Sequence, residues 1–139
     1  MGDCAMNIQD TATRLAPFVL SILRIVAALI FIEHGTSKLF SWPQAVPTPA
    51  LFSMYWFAGW IEIIGGILVL IGLFTRCTAF ILSGEMAFAY FISHAPNSFF
   101  PILNRGDAAI LYCFVFLYIA FAGGGPWSVD ALLRGKRNQ

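Results

Sequence analysis

Two glutamates inside one long apolar stretch are the residues best suited to intramembrane chemistry. Glu62 and Glu85 lie on either side of a break at residues 74–76, within the stretch 59–90. Each side of the break is about long enough to cross a bilayer. On two antiparallel helices, Glu62 would lie roughly 20 Å from the break and Glu85 roughly 15 Å. Both acids are therefore expected deep in the hydrocarbon, where a carboxylate requires a cation, a proton or water.

Arg24, in an earlier apolar segment, is the nearest candidate cation. Counted from residue 15 it lies about 14 Å into a first helix, close to the depth of Glu85. We therefore predict a buried charged layer of Arg24, Glu62 and Glu85. The layer could be a structural ion cluster that selects which helices pack together. It could instead carry a proton or bind a ligand, because two acids and one arginine leave a negative charge that favours protonation of one acid. The third alternative is that the acids face lipid or a partner protein.

A second group of polar residues is expected together at the other end of the helices. This outer polar cluster consists of Glu33, His34, Lys38, His94, Asn104, Arg105 and Asp107. It could bind a quinone headgroup or a small anion through imidazole and Arg105, or it could cap helix ends and contact lipid headgroups. Metal or haem ligation by His34 and His94 is disfavoured, because the residues are dispersed and show no ligand spacing such as HxxxH. Glu33 is half a revolution from the Arg24 face of an ideal helix and should point away from it.

The composition indicates a membrane protein of one domain. Of 139 residues, 59% are hydrophobic and only 11% are charged, whereas a soluble domain carries about 25% charged residues. The net charge of +1 and the absence of nucleic-acid-binding motifs give no reason to expect nucleic acid as a partner. The three cysteines match no zinc spacing, and the sequence has no haem-attachment, P-loop or dinucleotide motif.

The apolar segments predict an all-α fold, a four-transmembrane-helix bundle. We expect spans at residues 15–34, 54–74, 77–94 and 107–122, with Gly35 ending the first, and two proline-rich outer loops at 41–53 and 95–106. A polar N-terminal tail (1–14) and a basic C-terminal tail (124–139) would flank the membrane domain (15–123). Four spans put both termini on one side. That side is predicted to be cytoplasmic, since it collects most of the basic residues, namely Arg14, Arg76, Arg134, Lys136 and Arg137.

A series of short motifs runs along residues 15–132. They are Leu23-Arg24, HGTSKLF at 34–40, Glu62 with Gly65-Gly66, LIGLFTR at 70–76, NRGDAAILY at 104–112 and GPWSVD at 125–130. In order and spacing they resemble the DoxX family of small bacterial membrane proteins, akin to the DoxD subunit of thiosulfate–quinone oxidoreductase. Asp107 departs from the glutamate expected at that position, which keeps the charge and shortens its reach.

The resemblance implies a multi-pass protein of the bacterial cytoplasmic (inner) membrane, associated with redox or sulfur metabolism. It would be an accessory or anchoring subunit of a membrane redox system, with a quinone as the cofactor to consider. The alternatives are a bundle that handles a small solute or protons, and a structural or assembly subunit without chemistry of its own. Its partners would be the lipid bilayer, a redox-enzyme subunit or larger membrane complex, or further copies of the chain. The resemblance carries over no catalytic residues.

Overall fold

A computed structural model describes the backbone of residues 2–137 and the side chains of residues 7–136. Of the three cysteines in the sequence, Cys4 has its side chain outside the described residues. The chain is 79% helical, and the described part contains no strand. The helices are α1 (Gly2–Phe40), α2 (Met54–Ile71), α3 (Thr75–Ala89), α4 (Pro101–Asn104), α5 (Asp107–Ala122) and α6 (Val129–Arg137). After α3, a π-helical turn (Tyr90–His94) and a 3₁₀ turn (Ala95–Asn97) continue the same segment.

The first helix is longer than the sequence suggests. With 39 residues it is about 58 Å long, roughly twice the thickness of a hydrocarbon core. It includes residues 2–14 of the predicted N-terminal tail and continues through Gly35, so the prediction that Gly35 ends it is wrong. Gly35 instead lies against α2, where an added Cβ would come within 2.8 Å of the Gly59 carbonyl oxygen. The glycine is needed for close packing between helices.

The second helix has clear signals at both ends. Its N-cap is Ser53, whose side chain accepts a hydrogen bond from the backbone N–H of Trp56. Its C-cap is Gly72, in the left-handed conformation with φ 72° and with its N–H bonded to the carbonyls of Leu68 and Val69. The chain then turns directly into α3. We call this side of the molecule the turn end. The opposite side, with residues 41–53 and the segment 98–106 that contains α4, is the loop end.

The helices pack mainly as two pairs. The pair α1 and α2 meets at Gly35, Gly59 and Gly66, where added Cβ atoms would collide with the facing helix. The pair α3 and α5 is joined by Ser83, whose hydroxyl donates to the Cys113 carbonyl at 2.8 Å. Between the pairs lies an apolar core: Ala28, Phe31, Val69, Ala79, Leu82, Met86, Ala109, Phe116 and Ile119.

Two described helices are long and apolar enough to cross a membrane, at Asn7–Phe40 and Met54–Ile71. The apolar helix α5 is shorter, at 16 residues. Beyond it, the predicted basic C-terminal tail contains the short helix α6.

Candidate functional site

Arg24 is fully buried and contacts backbone carbonyls, not acids. Its Nε donates to the Gly124 carbonyl at 2.8 Å. Its Nη1 donates to the carbonyls of Val69 and Leu70, and its Nη2 donates to that of Trp127. The guanidinium therefore binds the last turn of α2 and the segment after α5 together. A cation suits this position because the carbonyl end of a helix carries partial negative charge.

Arg24 does not join the predicted charged layer, and this part of the sequence interpretation is wrong, whereas Glu62 and Glu85 do lie together. Arg24 faces Leu70, and the eight residues from Leu70 back to Glu62 correspond to about 12 Å along α2. The error arose from counting depth from residue 15, although α1 begins well before it. Arg24 thus lies near the turn end, whereas Glu62 lies in the middle of α2.

Lys38 is the cation that Glu62 binds. Its Nζ lies 2.5 Å from Glu62 Oε1, and the glutamate side chain is 2% exposed against 31% for the lysine. The sequence reasoning assigned Lys38 to the outer polar cluster and missed this pair. A signal was present, because Lys38 follows Arg24 by fourteen residues. That spacing is about 40° short of four full turns, so both cations lie on the face of α1 that packs on α2.

Glu62 and Glu85 line one cavity of about 290 Å³ near the loop end. We call it the carboxyl cavity. It is lined by Lys38, Met54, Tyr55, Ala58, Glu62, Glu85, Met86, Phe88, Ala89, Ile92, Ser93 and His94. Glu62 Oε2 and both carboxyl oxygens of Glu85 are buried and have no hydrogen-bond partner among the described residues. Buried polar atoms are normally paired, so these three acceptors mark the cavity as a place for a ligand, water or a proton.

The carboxyl cavity reaches the outer surface of the bundle between α2 and the segment after α3. Several of its lining side chains are largely exposed there, among them Phe88 at 56% and Ile92 at 48%. Tyr55 and Ser93 hydrogen-bond across this opening, with 3.1 Å between their hydroxyl oxygens. On a membrane protein such an apolar lateral opening faces lipid rather than water.

The other members of the outer polar cluster do not form one site. His94 Nδ1 lies 2.9 Å from the Asn104 carbonyl oxygen. The Asn104 amide donates to the Ser98 carbonyl, and its oxygen accepts from the Gly106 N–H. These bonds hold the residues between the 3₁₀ turn and α5 in place. Arg105 is exposed and ends α4 in a left-handed conformation, and exposed Asp107 stands in the first turn of α5.

Glu33 and His34 lie on an exposed face of α1. His34 Nδ1 is 3.0 Å from the Ile30 carbonyl oxygen, and its ring packs edge-on against Tyr112. His94, in contrast, lines the carboxyl cavity. Among residues with described side chains, no three His, Cys, Asp or Glu side chains are grouped so as to hold a metal ion.

Arg24 holds the segment after α5 to the turn end, and Asp130, the last residue of the GPWSVD segment, makes a second connection there. The Asp130 carboxylate accepts hydrogen bonds from the backbone N–H groups of Phe74 and Thr75, at 3.0 and 2.8 Å. It therefore caps the first turn of α3 from a distant part of the chain. Partial burial acts to raise the pKa of Asp130, but the hydrogen bonds from Thr75 and Phe74 outweigh it and hold the pKa below its usual value.

The apolar helices, close glycine contacts and buried charges together define a helical membrane protein. Comparison with known families agrees, since the DoxX family profile matches residues 19–95, more than half of the chain. A relative from Haemophilus influenzae, described only as an uncharacterized protein, is 48% identical over 132 residues, covering 88% of this chain and 96% of the relative. No solved structure matches the chain. The chain belongs to the DoxX family.

Proposed function

We propose that this DoxX protein is an accessory subunit of a membrane redox system, and that its carboxyl cavity receives a quinone headgroup. The observation that carries the proposal is the cavity itself. Its buried carboxyl oxygens have no partner among the residues that the structure describes, and its apolar surroundings open sideways. A quinone could enter from the bilayer with its tail still in lipid. A solute dissolved in water would have no such advantage.

The charges around the cavity favour one bound proton. Lys38 balances the charge of Glu62, and no cation pairs with Glu85 among the described residues. An uncompensated carboxylate in apolar surroundings is costly, so Glu85 is expected to be neutral. A neutral carboxyl group can donate a hydrogen bond to a quinone carbonyl. It can also supply one of the two protons that the quinone takes up when the partner redox subunit delivers two electrons.

The cavity size limits what can bind. Ligand pockets usually measure about 300–1,000 Å³, and the carboxyl cavity is near the lower limit at 290 Å³. It suits the ring of a quinone and excludes the attached isoprenoid chain. The isoprenoid chain would leave the cavity past Phe88 and Ile92.

The proposal includes the membrane topology. Four spans are formed by α1, α2, α3 with its π-helical extension, and α5, with the turn end and both termini in the cytoplasm. The span from Thr75 to His94 then has 20 residues, from the 15 of α3 and the 5 of the π-helix, which is sufficient for a bilayer. The basic residues at the turn end support the orientation, because positive charge accumulates on the cytoplasmic side, and the membrane is then the bacterial inner membrane.

A proton- or solute-handling bundle is the second candidate. It is favoured by His94, which lines the carboxyl cavity from the loop end and is half-buried. With Lys38 it could connect Glu85 to water on the outer side. This function would need no quinone and no partner subunit.

The test is purification from membranes of a quinone-producing bacterium in mild detergent, followed by extraction of bound quinone and identification of co-purifying proteins. The Glu85→Leu variant removes the carboxyl group and leaves an apolar side chain of similar size, so bound quinone should fall by about tenfold, the equivalent of one hydrogen bond. Glu85→Gln keeps a hydrogen-bond donor, so its bound quinone should stay within about threefold of the parent's. Glu33→Leu, a change of the same type on an exposed face of α1, is the matched control and should leave quinone unchanged.

Two results would contradict the proposal. One is a parent protein that is isolated without quinone and without a redox partner. The other is equal loss of quinone from Glu85→Leu and Glu33→Leu. Proton flux in proteoliposomes that Glu85→Gln abolishes, with no quinone present, would favour the second candidate.

A further inference from the structure

The turn end carries a second cavity that the proposed function does not use. It measures about 670 Å³ and lies between α6, the start of α3 and the glycines after α5. Its lining includes three cationic side chains, Arg76, Arg134 and Lys136, and one anionic side chain, Asp130. The net formal charge of the lining is therefore +2. We call this cavity the basic cleft.

The acid in the basic cleft is already engaged, but the cations retain free donor capacity. Both Asp130 oxygens accept backbone N–H groups of the α3 start. Arg76 uses Nη1 on the carbonyls of Ala120 and Phe121, and Arg134 uses Nε on the Asp130 carbonyl. A guanidinium has five N–H donors and an ammonium has three, so an anion in the cleft could still be bound by several of them.

Large apolar side chains are exposed at the same end of the molecule, and two of them, Phe74 and Leu133, line the cleft itself. Phe74 and Leu132 are each 67% exposed, Trp127 is 54% and Leu133 is 51%. Exposed aromatic and aliphatic groups beside basic ones are the pattern of an amphipathic helix lying in the headgroup region. The apolar groups would enter the acyl layer while Arg134 and Lys136 extend towards phosphate.

We propose that the basic cleft binds the headgroup of an anionic phospholipid, with the phosphate held by Arg76, Arg134 and Lys136. The occupant is a membrane lipid rather than a free anion, because the apolar rim provides a place for acyl chains that a free anion would not use. This site is separate from the carboxyl cavity and does not depend on quinone binding.

The experiment uses the full-length protein in detergent and native mass spectrometry, with added phosphatidylglycerol or phosphatidylcholine as probes. The parent should retain phosphatidylglycerol preferentially. Each basic residue near an anionic surface contributes roughly fivefold in affinity, so Arg134→Gln/Lys136→Gln should weaken phosphatidylglycerol binding by about 25-fold. Arg14→Gln/Arg105→Gln removes two exposed cations outside the cleft and is the matched control, expected to change binding by less than about threefold.

Salt provides a measurement on the parent that does not require any variant to fold. Phosphatidylglycerol binding should fall as sodium chloride is raised, because exposed charge interactions are screened. The proposal is overturned by a lipid preference that salt does not change, by equal losses in the two double variants, or by displacement of the lipid with equimolar inorganic phosphate.

Discussion

Double-mutant cycles on Arg24, Lys38 and Glu62 test how the structure distributes its buried charges. If Arg24 serves only the backbone carbonyls at the turn end, Arg24→Leu should be destabilising and Glu62→Gln should not compensate for it. If Lys38 is the partner of Glu62, then Lys38→Met should be destabilising and Glu62→Gln should recover part of the loss. Glu62→Gln should therefore recover stability in the Lys38→Met variant but not in the Arg24→Leu variant.

The size of the Arg24 effect follows from its acceptors. In the described part of the chain, the carbonyls of Leu70, Gly124 and Trp127 accept a hydrogen bond from Arg24 alone, while that of Val69 also accepts one from the Gly72 N–H. Each buried carbonyl left without a donor costs about 1–3 kcal/mol. Since water can reach the turn end, we take the lower part of that range and expect Arg24→Leu to lower the free energy of unfolding by about 3–5 kcal/mol.

The Lys38 effect rests on an ion pair with one buried partner. Removing one member of a buried pair typically costs about 3–5 kcal/mol. Because Lys38 is 31% exposed, and because Glu62 can take up a proton once alone, the loss from Lys38→Met should be near the lower end of that range. Adding Glu62→Gln removes the unpaired charge and should recover at least about 1 kcal/mol.

The assay is unfolding by SDS titration in mixed micelles, followed by far-ultraviolet circular dichroism. Folded yield after purification serves as a second readout for the least stable variants. The coupling energy between Arg24 and Glu62 should be below about 0.5 kcal/mol, and that between Lys38 and Glu62 above about 1 kcal/mol. Recovery of Arg24→Leu by Glu62→Gln would refute the reasoning, because it would show that the arginine and the acid share one charge environment.

Two further predictions concern the turn end and the helix contacts. Because the pKa of Asp130 is lowered in the folded state, its stabilising effect is present above the ordinary aspartate pKa and is lost as pH falls through the folded value. Asp130→Asn should therefore lower the free energy of unfolding by about 1 kcal/mol at pH 7 and flatten the acid side of the thermal-stability profile; an unchanged profile would contradict this role. Gly35→Ala should destabilise by about 1–3 kcal/mol, because a Cβ there would come within 2.8 Å of the Gly59 carbonyl oxygen. The matched control Gly84→Ala, on a helix surface with nothing within 4 Å of an added Cβ, should be neutral or stabilising by about 1 kcal/mol in the same unfolding assay; equal losses would contradict the packing argument.

The helical segments were readable from the sequence for local reasons. The predicted start at residue 107 and end at residue 122 agree with α5, because Asp107 suits a helix N-terminus and the glycines that begin at Gly123 end the helix. The break predicted at 74–76 lies two residues from the observed one at 72–74, where Gly72 supplies the left-handed C-cap that ends α2. Gly35 misled the same reasoning, because a glycine that ends a helix and one that permits close helix packing look alike in sequence.

The partners of the buried charges were not readable in the same way. Arg24 had two candidate acids in sequence, but backbone carbonyls occur at every residue and leave no pattern that would predict them as acceptors. The return of residues 124–128 to the turn end decides where the arginine donates. Lys38 could have been found, since its helical position puts it on the same face of α1 as Arg24.

The sequence by itself determined that this chain is a helical membrane protein. Hydrophobic composition, segment length and glycine placement act locally and do not depend on how the helices pack. Its short motifs also identified the DoxX family. Only the tertiary structure decided which cation meets which acid, and that Arg24 lies outside the cavity that Glu62 and Glu85 share. The physical reason is that helix register depends on contacts such as those of Gly35 and Gly66 across an interface, and a shift of two turns moves a charge by about 11 Å.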